Sequence, residues 1–215
     1  RFHGLFTRHA LAVMVIGIFL LPLGARAAKP SPPSSYVIDL QTNAVQSATR
    51  AEVVRPIASL TKLMAMMVVL DTKVNLNRTI AYDPNKHYAY RNWTNFYRGD
   101  RLSGQSLLHL TLTGSQNITA RMLVGLSGLS EKEVVKRMNT KAKALGLTQT
   151  TFIDVHGLSP KNVSTVPEVA RMFTAALEYP DIAAALGKSM ATVKITSAKG
   201  RARMLTFVHT NVLLK

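Results

Sequence analysis

Ser59 and Lys62 stand three residues apart at the head of an apolar run, "ASLTKLMAMMVVLD". On a helix that spacing puts both side chains on one face. A serine hydroxyl is a weak nucleophile and needs a base beside it. A lysine taken out of water can be that base, because burial penalises the ammonium form and lowers its pKa. A serine in the first helical turn also lies among free backbone N–H groups, where developing negative charge is favoured. The pair therefore points to nucleophilic chemistry. An N-cap serine followed by a lysine whose stem covers apolar surface gives the same spacing, so the surrounding elements must decide between the two.

Those elements read as follows. "YVIDL" (36–40) and "VQSA" (45–48) are strand-like and joined by a turn at "QTNA", a hairpin. From Ala58 to about Thr72 the chain is apolar on nearly every side, as in a helix buried all round; Met64, Met66 and Met67 are core residues of it. A short helix is expected over Gln105–Leu112 and another from about Gln116. Ser130 with Glu133, and Thr165 with Glu168, form capping boxes that open two further helices; Gly146 closes the first and Pro180 lies past the second. "ATVKITSA" and "RMLTFVHT", separated by "KGRA", form a hairpin near the end of the sequence. Strands at both ends around a helical middle imply an α+β fold whose sheet joins the two ends.

Composition narrows the function. The 215 residues, 47% hydrophobic, suit one domain with a full core. There is no cysteine, and the six histidines are scattered without a His-Glu-x-x-His pair, so disulfides and a zinc site are not expected. Residues 1–27 carry the signal-peptide pattern: Arg1 and Arg8, the apolar stretch Ala10–Leu23, and the small-x-small site Ala25-Arg26-Ala27. Residues 28–35, with "KPSPPSS", read as a linker, and 36–215 as the functional domain. The formal charge of +16, or +13 without Arg1, Arg8 and Arg26, suits an anionic wall or membrane surface or a solvated basic face. No recognisable nucleic-acid module is present. A Ser-His-Asp triad built on Asp154 and His156 lacks the G-x-S-x-G elbow. His109 reads as a satisfied structural histidine, and Trp93 and Tyr97 as groove or core aromatics.

Taken together, "RPIASLTKLMAMMVVLD", the hairpin before it, "LLHLTLTGSQN", "MNTKAKALGLTQTTFIDVHGLSPKNVSTVPEVARM" and "FVHTNVLL" resemble, in order and spacing, the low-molecular-mass penicillin-binding proteins. These are the serine D-alanyl-D-alanine peptidases. The resemblance covers roughly residues 36–215 and is strongest to the exported D-alanyl-D-alanine endopeptidases, with the carboxypeptidases next. It implies the β-lactamase/penicillin-binding-protein transpeptidase fold: an antiparallel sheet packed against helices, with a helical subdomain. It also implies roles. Ser59 is the acylated nucleophile and Lys62 its general base. Ser115 relays a proton to the leaving amine, Asn117 positions the lysine and the substrate amide, and the Ser59 N–H supplies half of an oxyanion hole. The implied partners are peptidoglycan stem peptides and, as acylating inhibitors, β-lactams, in the periplasm; no cofactor is implied. The family's third motif, K-T-G, does not occur in this sequence, and Lys199-Gly200 precedes the place where it belongs. The resemblance thus implies that the last strands are missing and that this stretch alone is inactive, or else that the protein is a non-catalytic wall-binding homologue.

Overall fold

The computed structural model describes residues 32–92 and 94–210. The expected signal segment, the first half of the linker, Trp93 and the last five residues lie outside them. Pro33–Lys215 makes one compact unit and Arg1–Pro32 another; the elements below belong to the former.

Two strands, β1 (Ser35–Ile38) and β2 (Val45–Thr49), form the first hairpin, followed by the two-residue strand β3 (Arg55–Pro56) and a 3₁₀ turn, Ala58–Leu60. Helix α1 (Thr61–Asp71) comes next, and its residues Thr61 to Val69 are all buried. A helix without a polar face needs neighbours on every side. It obtains them from α3 (Gly104–Leu112), α4 (Asn117–Leu126), α5 (Glu131–Ala144), α6 (Val166–Leu177) and α7 (Pro180–Leu186), all of which pack on it. The remaining elements are β4 (Thr79–Ala81), the short α2 (Pro84–His87), β5 (Arg101–Ser103), β6 (Val163–Ser164), β7 (Met190–Thr196) and β8 (Ala202–Val208).

Strands β4-β5-β7-β8 make a four-stranded sheet in that order, β1-β2 a sheet of their own, and β3-β6 a short ladder; every pairing is antiparallel. The sheet expected to join the two ends of the chain is therefore not formed among the described residues. β1–β2 packs on α6, whereas β7 pairs with β5. The buried side of β7, Ala191, Val193 and Ile195, faces the helices, and β8 adds Leu205 and Phe207 to the same face. Gly114 makes room for this packing: a Cβ there would lie 2.9 Å from the Phe207 ring.

The two capping boxes differ in outcome. Ser130 accepts from the Glu133 N–H at 3.2 Å and opens α5, and Gly146, at φ +70°, ends it. Thr165 stands at the N-cap of α6 but makes no side-chain capping bond. Glu168 instead turns away, into the loop before β6. Its carboxylate accepts from the Gln149 N–H at 3.0 and 3.1 Å and from the Thr150 and Thr148 hydroxyls at 2.6 and 3.3 Å. A carboxylate that satisfies a partly buried backbone N–H and a buried hydroxyl gives up more when lost than a cap does. Glu168→Ala takes the acceptor from the Gln149 N–H and leaves the Thr150 hydroxyl only Ser164, and is expected to cost about 1–3 kcal/mol. Urea unfolding checks this, and a loss within ~0.5 kcal/mol of zero contradicts it.

Candidate active site

Ser59 lies in the 3₁₀ turn, one turn earlier than a position inside α1, and is exposed; Lys62 stands in the first turn of α1 and is 2% exposed. Placing a lysine there is costly unless its nitrogen is satisfied. Three oxygens satisfy it: Nζ lies 3.0 Å from Ser59 Oγ, 3.4 Å from Ser115 Oγ and 2.9 Å from the His156 carbonyl. An ammonium can donate to all three. A neutral amine can donate to two of them and accept the Ser59 proton on its lone pair, so the same geometry serves both protonation states. Burial lowers the Lys62 pKa to about 8, against the opposing charge of Asp154.

Ser115 reaches the lysine from the connection between α3 and α4. Its backbone is left-handed, φ +54°, as is that of Ala58, φ +45°, immediately before Ser59. Such conformations cost a side-chain-bearing residue about 1–2 kcal/mol. Both serines are thus preceded by or built on strained backbone that the surrounding packing must hold. A cavity of about 480 Å³ opens beside them, lined by Ser59, Lys62 and Ser115 with Leu112, Phe173 and Thr210 among its walls. Among the described residues no group of histidine and carboxylate side chains is arranged to hold a metal ion.

Asn117 does not make the bond to Lys62 that its expected role required. As the first residue of α4 it is buried, and its amide NH₂ donates to the Tyr90 and Arg91 carbonyls at 2.8 and 3.2 Å. Its own N–H and that of Ile118 donate to Asn92 Oδ1 at 3.0 and 2.9 Å. The side chain anchors the irregular aromatic segment to the helix start. His109 also departs from expectation: its Nδ1 is buried without a hydrogen-bond partner. Tyr97 is exposed on the surface.

The loop from Asp154 to Ser159 is the part of the site that sequence reasoning missed. It supplies the His156 carbonyl to Lys62, and it is held by the Asp154 carboxylate. Oδ1 accepts from the His156 and Gly157 N–H groups at 3.0 and 2.6 Å and from Asn162 Nδ2 at 2.8 Å, while Oδ2 accepts from the Ser159 N–H at 2.7 Å. Burial opposes ionisation of Asp154, but the contact with His156 and these backbone donors overcome it and hold the carboxyl far below the usual range. The His156 ring faces Asp154 at 3.2 Å and Glu131 at 3.9 Å, so it lies between carboxylates rather than beside a serine. Asn162 ties the loop to the nucleophile turn through the bond from the Ile57 N–H to its carbonyl, 3.0 Å. Gly157, φ +84°, packs so closely that a Cβ would lie 1.9 Å from the Ala58 carbonyl oxygen. The one legible signal was the turn-forming "DVHG" itself.

With this fold and geometry in hand, comparison with known proteins is decisive for the family. The family model for D-alanyl-D-alanine carboxypeptidase matches residues 25–215, and the chain belongs to that family. The D-alanyl-D-alanine endopeptidase of Escherichia coli K12 is 34% identical over 148 residues, 68% of this chain and 48% of that protein. The Pseudomonas aeruginosa D-alanyl-D-alanine endopeptidase is 33% identical over 181 residues, 77% of this chain and 58% of that protein. This chain therefore spans about half to three-fifths of these relatives. In three dimensions it is similar to the Streptomyces K15 DD-transpeptidase, with a TM-score of 0.77 at 23% identity over 84% of this chain and 74% of that one. The fold is that of the penicillin-binding DD-peptidases, α+β as expected.

Two outcomes follow from this geometry. The Lys62 ammonium of the folded chain loses its proton near pH 8 rather than 10.5, so any step that uses it as a base rises with pH up to about 8. Asp154→Asn removes the charge that opposes the shift and is expected to move that rise to lower pH; a rise moved upward, or none, refutes the assignment. The sign for stability is the reverse of a paired lysine. The buried ammonium costs about 3 kcal/mol below pH 8, and the cost fades between pH 8 and 10.5, where the unfolded chain still holds its proton. Separately, Gly157→Ala must displace Ala58 and Ser59. It is expected to lengthen the contact of Ser59 with Lys62 and to destabilise the fold by roughly 2 kcal/mol or more; a urea-unfolding midpoint equal to the wild type's would show the close seat to be dispensable.

Proposed function

We propose that the protein carrying this chain is a serine D-alanyl-D-alanine peptidase acting on peptidoglycan stem peptides through an acyl-enzyme. The observation that carries this is Lys62 Nζ at 3.0 Å from Ser59 Oγ, buried and with its pKa drawn down to about 8. In this reading Lys62 takes the Ser59 proton as Oγ attacks the D-alanyl carbonyl, and Ser115, 3.4 Å from the same nitrogen, passes a proton to the departing amine. The Ser59 N–H, in the first turn before α1, receives part of the charge on the tetrahedral oxygen. Water then releases the acyl group. Asn117 enters as a residue that fixes the segment around Tyr90 and Arg91, the Asn92 side chain closing the contact.

The finer reading is cleavage of peptide cross-links outside the inner membrane, in the periplasm, following the signal-like pattern of residues 1–27. The names of the E. coli and P. aeruginosa relatives support endopeptidase, and the family description supports carboxypeptidase as the second reading. β-Lactams would acylate the same serine and remain bound.

The test is covalent labelling of the whole protein by a fluorescent penicillin. Labelling is expected for the wild type, and at least about a hundredfold less for Ser59→Ala, because the Ser59 hydroxyl stands 3.0 Å from the buried amine that would activate it. Equal labelling of the two proteins sinks the serine reading. Digestion of isolated, cross-linked peptidoglycan then separates the two activities: loss of dimeric muropeptides marks the endopeptidase, and release of free D-alanine alone marks the carboxypeptidase.

A further inference from the structure

No acidic residue follows Asp181 in the sequence, whereas Lys188, Lys194, Lys199, Arg201, Arg203 and Lys215 do. Most of these cations fall on the β7–β8 hairpin. Alternation along the two strands sends one set of side chains into the core and the other outward. The outward set pairs across the strands as Met190 with Val208, Thr192 with Thr206, and Lys194 with Met204. Met190, Met204 and Val208 are 56%, 64% and 52% exposed. This face thus combines uncovered apolar side chains with a lysine and no carboxylate.

The hairpin tip extends the same pattern. A groove of about 370 Å³ lies between residues 97–101 and the turn at 197–203, with Tyr97, Arg98, Lys199, Arg201 and Arg203 on its walls. It is a built feature. Gly99, φ +86°, lets the loop approach Ala198 so closely that a Cβ would come within 2.7 Å of the Ala198 Cβ. The one acid of the groove, Asp100, is buried and already accepts from Arg203 Nη2 at 2.6 Å and from the Tyr97 N–H at 3.0 Å. Arg98 is paired with Asp83 at 2.7 Å. Lys194, Lys199 and Arg201 have no ion-pair partner among the described residues, and Tyr97 is 64% exposed.

We infer that the outer face and tip of the β7–β8 hairpin dock this protein onto an anionic lipid surface. Two requirements select that partner. Three cations without an ion-pair partner among the described residues, beside an Asp100 already engaged by Arg203, complement a dense array of negative charge. Met190, Met204 and Val208 match an apolar phase, which a hydrated polymer does not offer but the headgroup boundary of a bilayer does. An exposed tyrosine at the same end fits the amphipathic character of that boundary. Three basic side chains near an anionic leaflet raise affinity on the order of a hundredfold. The face includes none of Ser59, Lys62 and Ser115, so the inference stands or falls apart from the peptidase reading.

The chain has no cysteine, so single cysteines can carry an environment-sensitive dye to chosen positions. Thr206→Cys places it on the outer face and Thr140→Cys on α5. With the 215-residue chain, the dye at position 206 is expected to brighten and shift to the blue on vesicles containing phosphatidylglycerol. It should not respond to pure phosphatidylcholine, and the dye at 140 should respond to neither. Adding Lys194→Gln, Lys199→Gln and Arg201→Gln is expected to raise the lipid concentration at half-response about a hundredfold, with an unchanged melting temperature. The inference is overturned by a dye at 206 that stays in water or responds equally to both vesicles, or by a triple variant with the parent's midpoint. Retention on isolated peptidoglycan that the triple variant loses, without any dye response to vesicles, would assign the face to a wall polymer and overturn it as well.

Discussion

A lysine nitrogen enclosed in an apolar core is the constraint around which this fold is arranged. Lys62 belongs to a helix with no polar side and is almost wholly buried, so its charge or lone pair must be met largely by protein oxygens. The three that meet it come from three separate parts of the chain: the turn before α1, the connection from α3 to α4, and the loop before β6. Each has to arrive within hydrogen-bonding distance at once. The strained backbone at Ala58 and Ser115, the close seat of Gly157 and the carboxylate cage at Asp154 are the means by which they arrive.

Seen this way, the chemistry and the stability of the protein pull in opposite directions at one atom. Burial is what draws the Lys62 pKa down to about 8, toward the range the proposed base role needs, and burial is also what makes its ammonium form a liability. Asp154 moderates the conflict. Its charge raises the lysine's pKa part of the way back, while its oxygens fix the loop whose carbonyl the lysine needs. A single carboxylate therefore adjusts the base and positions its partner.

Much of this was legible in the sequence, and for identifiable reasons. The all-round apolar pattern from Leu60 to Leu70 marked the central helix, the spacing of Ser59 and Lys62 marked the pair, and ordered segments from Tyr36 onward marked the fold. The Ser130 cap and the Gly146 stop were visible because they depend on neighbours in sequence. What escaped was long-range. Nothing local distinguishes Glu168, which leaves its capping position for Gln149 and Thr150, from Glu133, whose segment forms the expected cap. Asn117 shares its helix start with the motif serine, yet its amide is taken by Tyr90 and Arg91, some 26 residues away. The His156 carbonyl could not be found from side-chain chemistry, because the group that serves is backbone. The separation of β1–β2 from the sheet of β7–β8 likewise turns on which strand edge each hairpin meets, and periodicity carries no information about that.

The burial of α1 has one more consequence. Its amide protons have no exposed face through which to fray, so they are expected to be among the most protected of the domain. Ser59 and Lys62 stand at the head of that buried segment, so loss of the core also takes their contact apart. The lifetime of the Ser59–Lys62 contact is then tied to the lifetime of the fold, and to the rate of global unfolding more than to local breathing.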